Sequence, residues 1–268
     1  MATRIWHQSF TVLENLPAYA AALDAHFKAV ARADTEIVLH GMHRDTYLTN
    51  YPGTDIRYTY LQALHANQFV WNGIRAEESG FDVYAIMSLC DPMMEEARSV
   101  LDIPVVGYGE SAMLAATMLG RKFGVLLFIP ELAEQFSRKV QLAGLSPRFA
   151  GASHAGFTFT DVLEGFANPG PLVQRFTEAA RQMIRTGADV IIPGEAPMCV
   201  LLARNGIDRI DGVPVLDGLA TAVKMAESMA ELRRTSGIAH SRLGHYNEKP
   251  ERGRVKELLK FYFGDLPS

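Results

Sequence analysis

Two ionisable residues at the ends of matching apolar runs, Cys90 and Glu195, are where this chain could do chemistry. Cys90 follows the run from Asp82 to Leu89 and precedes Asp91-Pro92, which reads as a helix N-cap and first helical residue. A helix N-terminus favours a thiolate, while the adjacent Asp91 works against one. Glu195 closes the segment Pro193-Gly194-Glu195-Ala196-Pro197. A carboxylate after an apolar strand is costly to bury without partners. Placed in a cleft, it would be a general base with a pKa raised by desolvation. The plainer alternatives are a small buried hydrophobe for Cys90 and a first-turn acid stabilising its helix for Glu195. Cys199, one turn beyond Glu195, has neighbours Met198, Val200, Leu201 and Leu202 that argue for a core face.

The elements that would position this pair occur twice. The first copy runs through Asp82–Cys90, Ile103-Pro-Val-Val-Gly-Tyr-Gly109 and a helical stretch with Ala112 and Ala116. The second runs through Asp189–Glu195, Val213-Pro-Val-Leu-Asp-Gly218 and a stretch with Ala222 and Ala226. Pro104 and Pro214 are 110 residues apart, as are Ala112 and Ala222, and Ala116 and Ala226. A duplicated α/β half would place Cys90 and Glu195 at comparable strand ends, where such folds put ligands.

Around that pair the expected substrate-binding residues are His7, Gln8 and Ser9 at the end of the first strand, Tyr47, Asp91, Gly109, Ser111, Gly194, Ala196 and Asp217. Gly107-Tyr108-Gly109-Glu110-Ser111 joins a strand to a helix and could cradle an anion with backbone N–H groups, although it lacks the third glycine of a dinucleotide fingerprint. His40 and His43 flank the end of the second strand. No His, Cys and Asp spacing resembles a metal site, and neither a nucleophile-elbow nor a Walker motif is present.

Apolar, β-branched runs alternate with amphipathic stretches, which predicts an α/β fold with parallel sheets. Strands are expected at 4–10, 36–41, 84–89, 104–107, 123–128, 189–193 and 214–216, and helices at 17–31, 61–78, 92–100, 111–119, 130–143, 172–186 and 219–232. The segment 42–56 is polar and aromatic and reads as a long loop of the substrate-lid kind. The tail beyond Ser236 carries a short amphipathic helix near 255–263 suited to docking on the body or on a partner. The split this implies is a lobe of 1–115 plus 219–268 and a lobe of 116–218, with the site in the cleft between them.

The charge balance, 26 basic against 30 acidic residues, makes nucleic acid an unsuitable partner. No signal-peptide pattern and no membrane-span-length apolar run is evident. Two cysteines do not make a disulfide framework, so the expected compartment is a reducing cytoplasm and the expected partner a small-molecule substrate.

The segments 104–123, 187–194 and 212–227, with 82–92, resemble the aspartate/glutamate/hydantoin racemase superfamily, and most of all its hydantoin racemase branch. The resemblance implies two flavodoxin-like lobes related by a pseudo-twofold, no cofactor, no metal and a homo-oligomer. It also implies two acid/base groups facing each other across the substrate carbon. Cys90 would match the first of the family's two cysteines, and Glu195 stands where the second would be. The family's substrate-gripping N-terminal segment is His7-Gln8-Ser9-Phe10 here.

Three functions follow as expectations. The first is a cofactor-independent isomerase moving a proton at the acidic carbon of a hydantoin-like cyclic amide or amino-acid-like substrate, with Cys90 and Glu195 as the pair. The second is a hydrolase or decarboxylase with Cys90 as nucleophile and Glu195 as general base. The third is a non-catalytic binder, against which the retention of two ionisable groups argues.

Overall fold

The computed structural model describes residues 2–264. Strands β1 (Thr3–Gln8), β2 (Thr35–His40), β3 (Val83–Ile86) and β4 (Val105–Gly107) form one sheet; β5 (Phe123–Leu127), β6 (Phe149–His154) and β7 (Val190–Pro193) form another. Helices α1 (Pro17–Val30), α2 (Gly53–Ile56), α3 (Thr59–Glu78), α4 (Met94–Val100), α5 (Tyr108–Leu119), α6 (Leu132–Leu142), α7 (Phe159–Gly165), α8 (Gly170–Arg185), α9 (Ala196–Arg204), α10 (Gly218–Ser236) and α11 (Arg252–Phe263) connect and cover them. The first sheet is parallel in the order β2-β1-β3-β4. The second is parallel in the order β6-β5-β7, and a single parallel bridge from Val215 to Ile191 adds a fourth position beside β7. Both halves thus share one flavodoxin-like strand order, the α/β architecture expected from the duplicated pattern.

The inner strands β3 and β7 are buried at every residue, which is why they read as continuous apolar runs. In α8 the buried set is Leu172, Phe176, Ala180 and Met183, one face at helical spacing. Helix α10 leaves the second half and packs on β3, β4 and α5 of the first. The tail follows it onto the same half. Arg242 donates to the Leu101 carbonyl, Arg252 pairs with Glu77, and the Phe263 ring meets Trp71 edge-on at 5.5 Å.

Several expected elements differ. Strand β6 and helix α7 were not anticipated, because FAGASH has little apolar signal and half-exposed positions, and α7 is announced mainly by the Thr158/Asp161 capping box. The expected strand 214–216 supplies one bridge only. Val213–Pro214 instead pairs antiparallel with Arg209–Ile210 around Asp211-Gly212, both at positive φ, a tight-hairpin turn. The helix expected at 92–100 starts at Met94, because Asp91 and Met93 adopt left-handed conformations and break the first turn. The loop 42–56 contains the one-turn helix α2 near its end. Among the described residues no helix is long and apolar enough to cross a membrane.

Candidate active site

The carboxyl ends of β1 and β3 face those of β5 and β7 across a small cavity of about 60 Å³. Its walls include Ser9, Ser88, Phe128 and Glu195, and Tyr51 and Phe159 close it from the loop and from α7. The rings of Tyr51 and Phe159 stack at 4.9 Å, and with Phe10, Met87, Phe128 and Leu132 on the walls the cavity is mostly apolar.

Glu195 occupies the N-cap position of α9 in extended backbone, yet its side chain does not cap that helix. It turns across the sheet ends and accepts the Phe128 N–H at 3.0 Å and the Ile129 N–H at 3.0 Å. Burial pushes the carboxyl up to about 8, against the two amides that favour its charge. It is only 8% exposed. A carboxyl on a cavity wall with a pKa near neutrality can both take and return a proton.

Strand register identifies what faces it. Gln8 pairs with Ile86 and its carbonyl accepts the Met87 N–H; Leu126 pairs with Pro193 and its carbonyl accepts the Gly194 N–H. Met87 therefore matches Gly194, and Ser88 matches Glu195. This corrects the expectation that Cys90 holds the comparable strand-end position, since Cys90 lies two residues further on. Ser88 lines the cavity, whereas Cys90 is half-buried behind it.

Of the two opposing influences expected on the Cys90 thiol, the helix N-terminus is absent and the Asp91 charge is present. With α4 starting at Met94, the thiol does not sit at that helix N-terminus. Burial pushes it well above the ordinary thiol range, reinforced by the charges of Asp91 and Glu195 against the opposing pull of Lys139. Cys90 and Glu195 are thus electrostatic neighbours, with the thiol held protonated.

Asp91 is not an N-cap of α4 and does not face the cavity. Its carboxylate accepts the Gly109 N–H at 2.8 Å and the Glu110 N–H at 2.7 Å, and meets Lys139 Nζ at 2.9 Å. It caps α5 instead. The glycine-rich segment does cradle an anion, but an internal one: a Cβ on Gly107 would fall 2.4 Å from Asp91 Cγ.

The remaining expected residues divide. Ser9 and Ala196 line the cavity; His7, Gln8, Tyr47, Gly109, Ser111, Gly194 and Asp217 do not. His7 lies wholly buried against Phe27 with neither ring nitrogen bonded, and desolvation lowers it to about 3. The Gln8 amide is spent on the Gly41 carbonyl and on Asn72. Tyr47 donates to the Phe10 carbonyl at 2.9 Å and pins the loop that presents Tyr51. Gly194 packs under Leu127 and Leu89, and Ser111 is buried without a partner. Asp217 caps α10 through the Ala220 N–H, accepts from the Cys199 thiol at 3.4 Å and lies 3.1 Å from His26 Nε2. Cys199 is a core residue in that network. Among the described residues no cluster of three His, Cys, Asp or Glu could hold a metal ion.

A family model described as Asp/Glu/Hydantoin racemase matches residues 17–226. The chain belongs to that family. Membership makes it an enzyme of the isomerase class, of the racemase type. It is 27% identical over 235 residues to a hydantoin racemase of Pseudomonas sp. (strain NS671), covering 87% of this chain and 88% of the relative. A hydantoin racemase of Paenarthrobacter aurescens is 28% identical over 66% of this chain and 72% of its own length. Allantoin racemase from Klebsiella pneumoniae shares the fold, with a TM-score of 0.78, 24% identity, and coverage of 94% of this chain and 95% of that one.

Sequence reasoning missed Ser88, Phe128, Ile129, Tyr51 and Phe159. For Ser88 the signal was present. Asp82 and Asp189 are 107 residues apart, and each stands just before its strand and donates its N–H to the neighbouring strand's side of the sheet, Asp82 to the Arg4 carbonyl in β1 and Asp189 to the Lys122 carbonyl just before β5. The same spacing carries Ser88 onto Glu195.

Proposed function

We propose that this racemase-family enzyme moves a proton, without a cofactor, at the acidic carbon of a small cyclic amide of the hydantoin type. The observation that carries this is Glu195: a buried carboxyl with its pKa near 8, held by two backbone amides on the wall of a small apolar cavity. An uncharged ring suits such a cavity better than a free amino acid, whose ammonium and carboxylate would each need a buried counter-charge.

In one direction the Glu195 carboxylate takes the α-proton and the electron pair moves into the neighbouring carbonyl. The opposite face of the resulting enolate then receives a proton from the Ser88–Cys90 turn. On that side we assign the proton to the Cys90 thiol, which burial raises but which is still intrinsically more acidic than a serine hydroxyl. Because the thiol lies behind the cavity wall, its proton would reach the ring by way of Ser88. Ser88, on the cavity wall, is a hydrogen-bonding contact for the substrate. The return direction uses Glu195 as the acid. The nucleophilic alternative is disfavoured by the thiol itself, which is held neutral and lacks a base within hydrogen-bond reach.

Proton NMR of 5-monosubstituted hydantoins in D2O tests this. Wild type exchanges the C5 proton with the ring intact, and Glu195→Gln and Cys90→Ala each slow exchange by about a hundredfold or more, the scale of a general acid/base group. Ser88→Ala slows exchange too, since the Cys90 proton passes by way of Ser88. Exchange unaffected in Cys90→Ala but abolished in Ser88→Ala would reassign the pair to Ser88 and Glu195. Ring-opened products would replace isomerisation with hydrolysis.

A further inference from the structure

A second cavity, of about 330 Å³, opens on the first half beside the end of β2, away from Glu195. Both tryptophans of the chain, Trp6 and Trp71, line it. The His40 ring lies flat on Trp6 at 3.3 Å and 5°; Trp6 is only 4% exposed, so the half-exposed aromatic rings on the lining are those of His40, backed by Trp6, and Trp71. Arg44 and Arg75 also line it, and neither has a carboxylate partner among the described residues. Arg75 stands over the Trp6 ring at 5.9 Å and donates to Asn72 Oδ1 at 3.4 Å.

The wall between these groups is built rather than incidental. Gln68 and Asn72 are 8% and 6% exposed, and both line the cavity. Gln68 accepts the His43 N–H and donates to Thr46 Oγ1; Asn72 donates to Gln8 Oε1. These bonds hold the start of the loop 42–56 against α3, and they present Arg44 and Arg75 to one space. The single acid on the lining is the exposed Glu14.

Guanidinium groups recognise planar oxyanions through paired, charge-assisted hydrogen bonds, and indole and imidazole faces stack on planar rings. We propose that this cavity is a binding site for a small planar carboxylate, an aromatic or cyclic acid whose ring lies on the His40 ring that covers Trp6 and whose carboxylate meets Arg44 and Arg75. The site is separate from the Glu195 cavity and does not depend on the function proposed for it.

The probe is benzoate, with benzamide as the uncharged isostere, titrated at low salt into the full chain and followed by tryptophan fluorescence and by calorimetry. Benzoate is expected to change the emission saturably and to bind at least about fivefold more tightly than benzamide, because only the carboxylate can pair with the guanidinium groups. Combined Arg44→Ala and Arg75→Ala weakens benzoate by about tenfold or more, the scale of losing charged hydrogen bonds, at an unchanged melting temperature. Glu195→Gln binds as wild type does. No saturation in either readout up to about 20 mM, a concentration that would still reveal weak binding, overturns the proposal. Equal affinity for benzamide, indifference to the arginine variants, or loss of binding in Glu195→Gln overturns it as well.

Discussion

Asp91 and Lys139 meet at 2.9 Å between the two halves of the molecule, one on the turn after β3 and the other on α6. The carboxylate is fully buried at its side chain and also caps α5 through two amides. The turn that carries Ser88 and Cys90 is thereby tied to the half that carries Glu195. A small cavity between two sheets needs such a tie, because proton transfer depends on spacing at the sub-ångström level.

Breaking this pair from one side leaves an uncompensated charge in the interior. Lys139→Met is therefore expected to cost about 3 kcal/mol in urea unfolding, the usual range for a buried pair deprived of one partner. Asp91→Asn combined with Lys139→Met should recover part of that loss. Additive losses in the double variant would show that the two groups do not act as a pair.

Glu195 makes stability depend on pH. Its folded value of about 8 lies above the value of about 4.3 in an unfolded chain, so the folded state binds the extra proton between them. The contribution is complete below about pH 4.3 and is lost as pH rises through about 8. Glu195→Gln removes the loss, so its stability relative to wild type should grow between about pH 5 and 9, by an amount on the order of a few kcal/mol. Proton abstraction has the opposite requirement and should rise as pH climbs through about 8. Parallel unfolding curves for the two proteins across that range would refute the raised pKa.

The state of the thiols is directly measurable. Burial raises both Cys90 and Cys199, with Asp91 adding to the first and Asp217 to the second. Iodoacetamide at about pH 8 should modify the folded protein more than tenfold more slowly than it modifies free cysteine, since the thiolate is the reactive form. Rapid single labelling at Cys90, seen by intact mass, would return the nucleophilic mechanism to consideration.

Gly109 bears on the site through contact alone. A Cβ there would stand 1.9 Å from the Leu89 carbonyl oxygen, a backbone atom that cannot turn aside. Gly109→Ala must therefore push the Ser88–Cys90 turn, at a cost of about 1–3 kcal/mol for an overpacked interior. Hydrogen–deuterium exchange at C5 of the hydantoin should fall further than the melting temperature alone would explain. Wild-type exchange rates would place the turn outside the reacting geometry.

Much of the fold was legible because its signals are local. Runs such as Val83–Ile86 and Val190–Pro193 are apolar along their whole length, and each helix with an apolar face shows it at helical spacing. Strand β6, with its small residues and half-exposed positions, gave no such signal. Of the candidate pair, Glu195 was legible as an acid placed where a strand ends, but the register of the turn opposite, which puts Ser88 rather than Cys90 at the matching position, was not. Placing each residue at the end of its apolar run suggested Cys90, whereas the 107-residue spacing of Asp82 and Asp189 leads to Ser88.

By itself, then, the amino-acid sequence determined the duplicated α/β plan, the family and the placing of Glu195 at a strand end, all of which follow from residue type and period. Tertiary structure decided which groups share the cavity. Side-chain direction depends on register and on backbone conformations such as the left-handed turn at Asp91, and neither has a period to read. It also decided the protonation of the site, because desolvation is a property of what packs around Glu195 and Cys90 and not of the residues themselves.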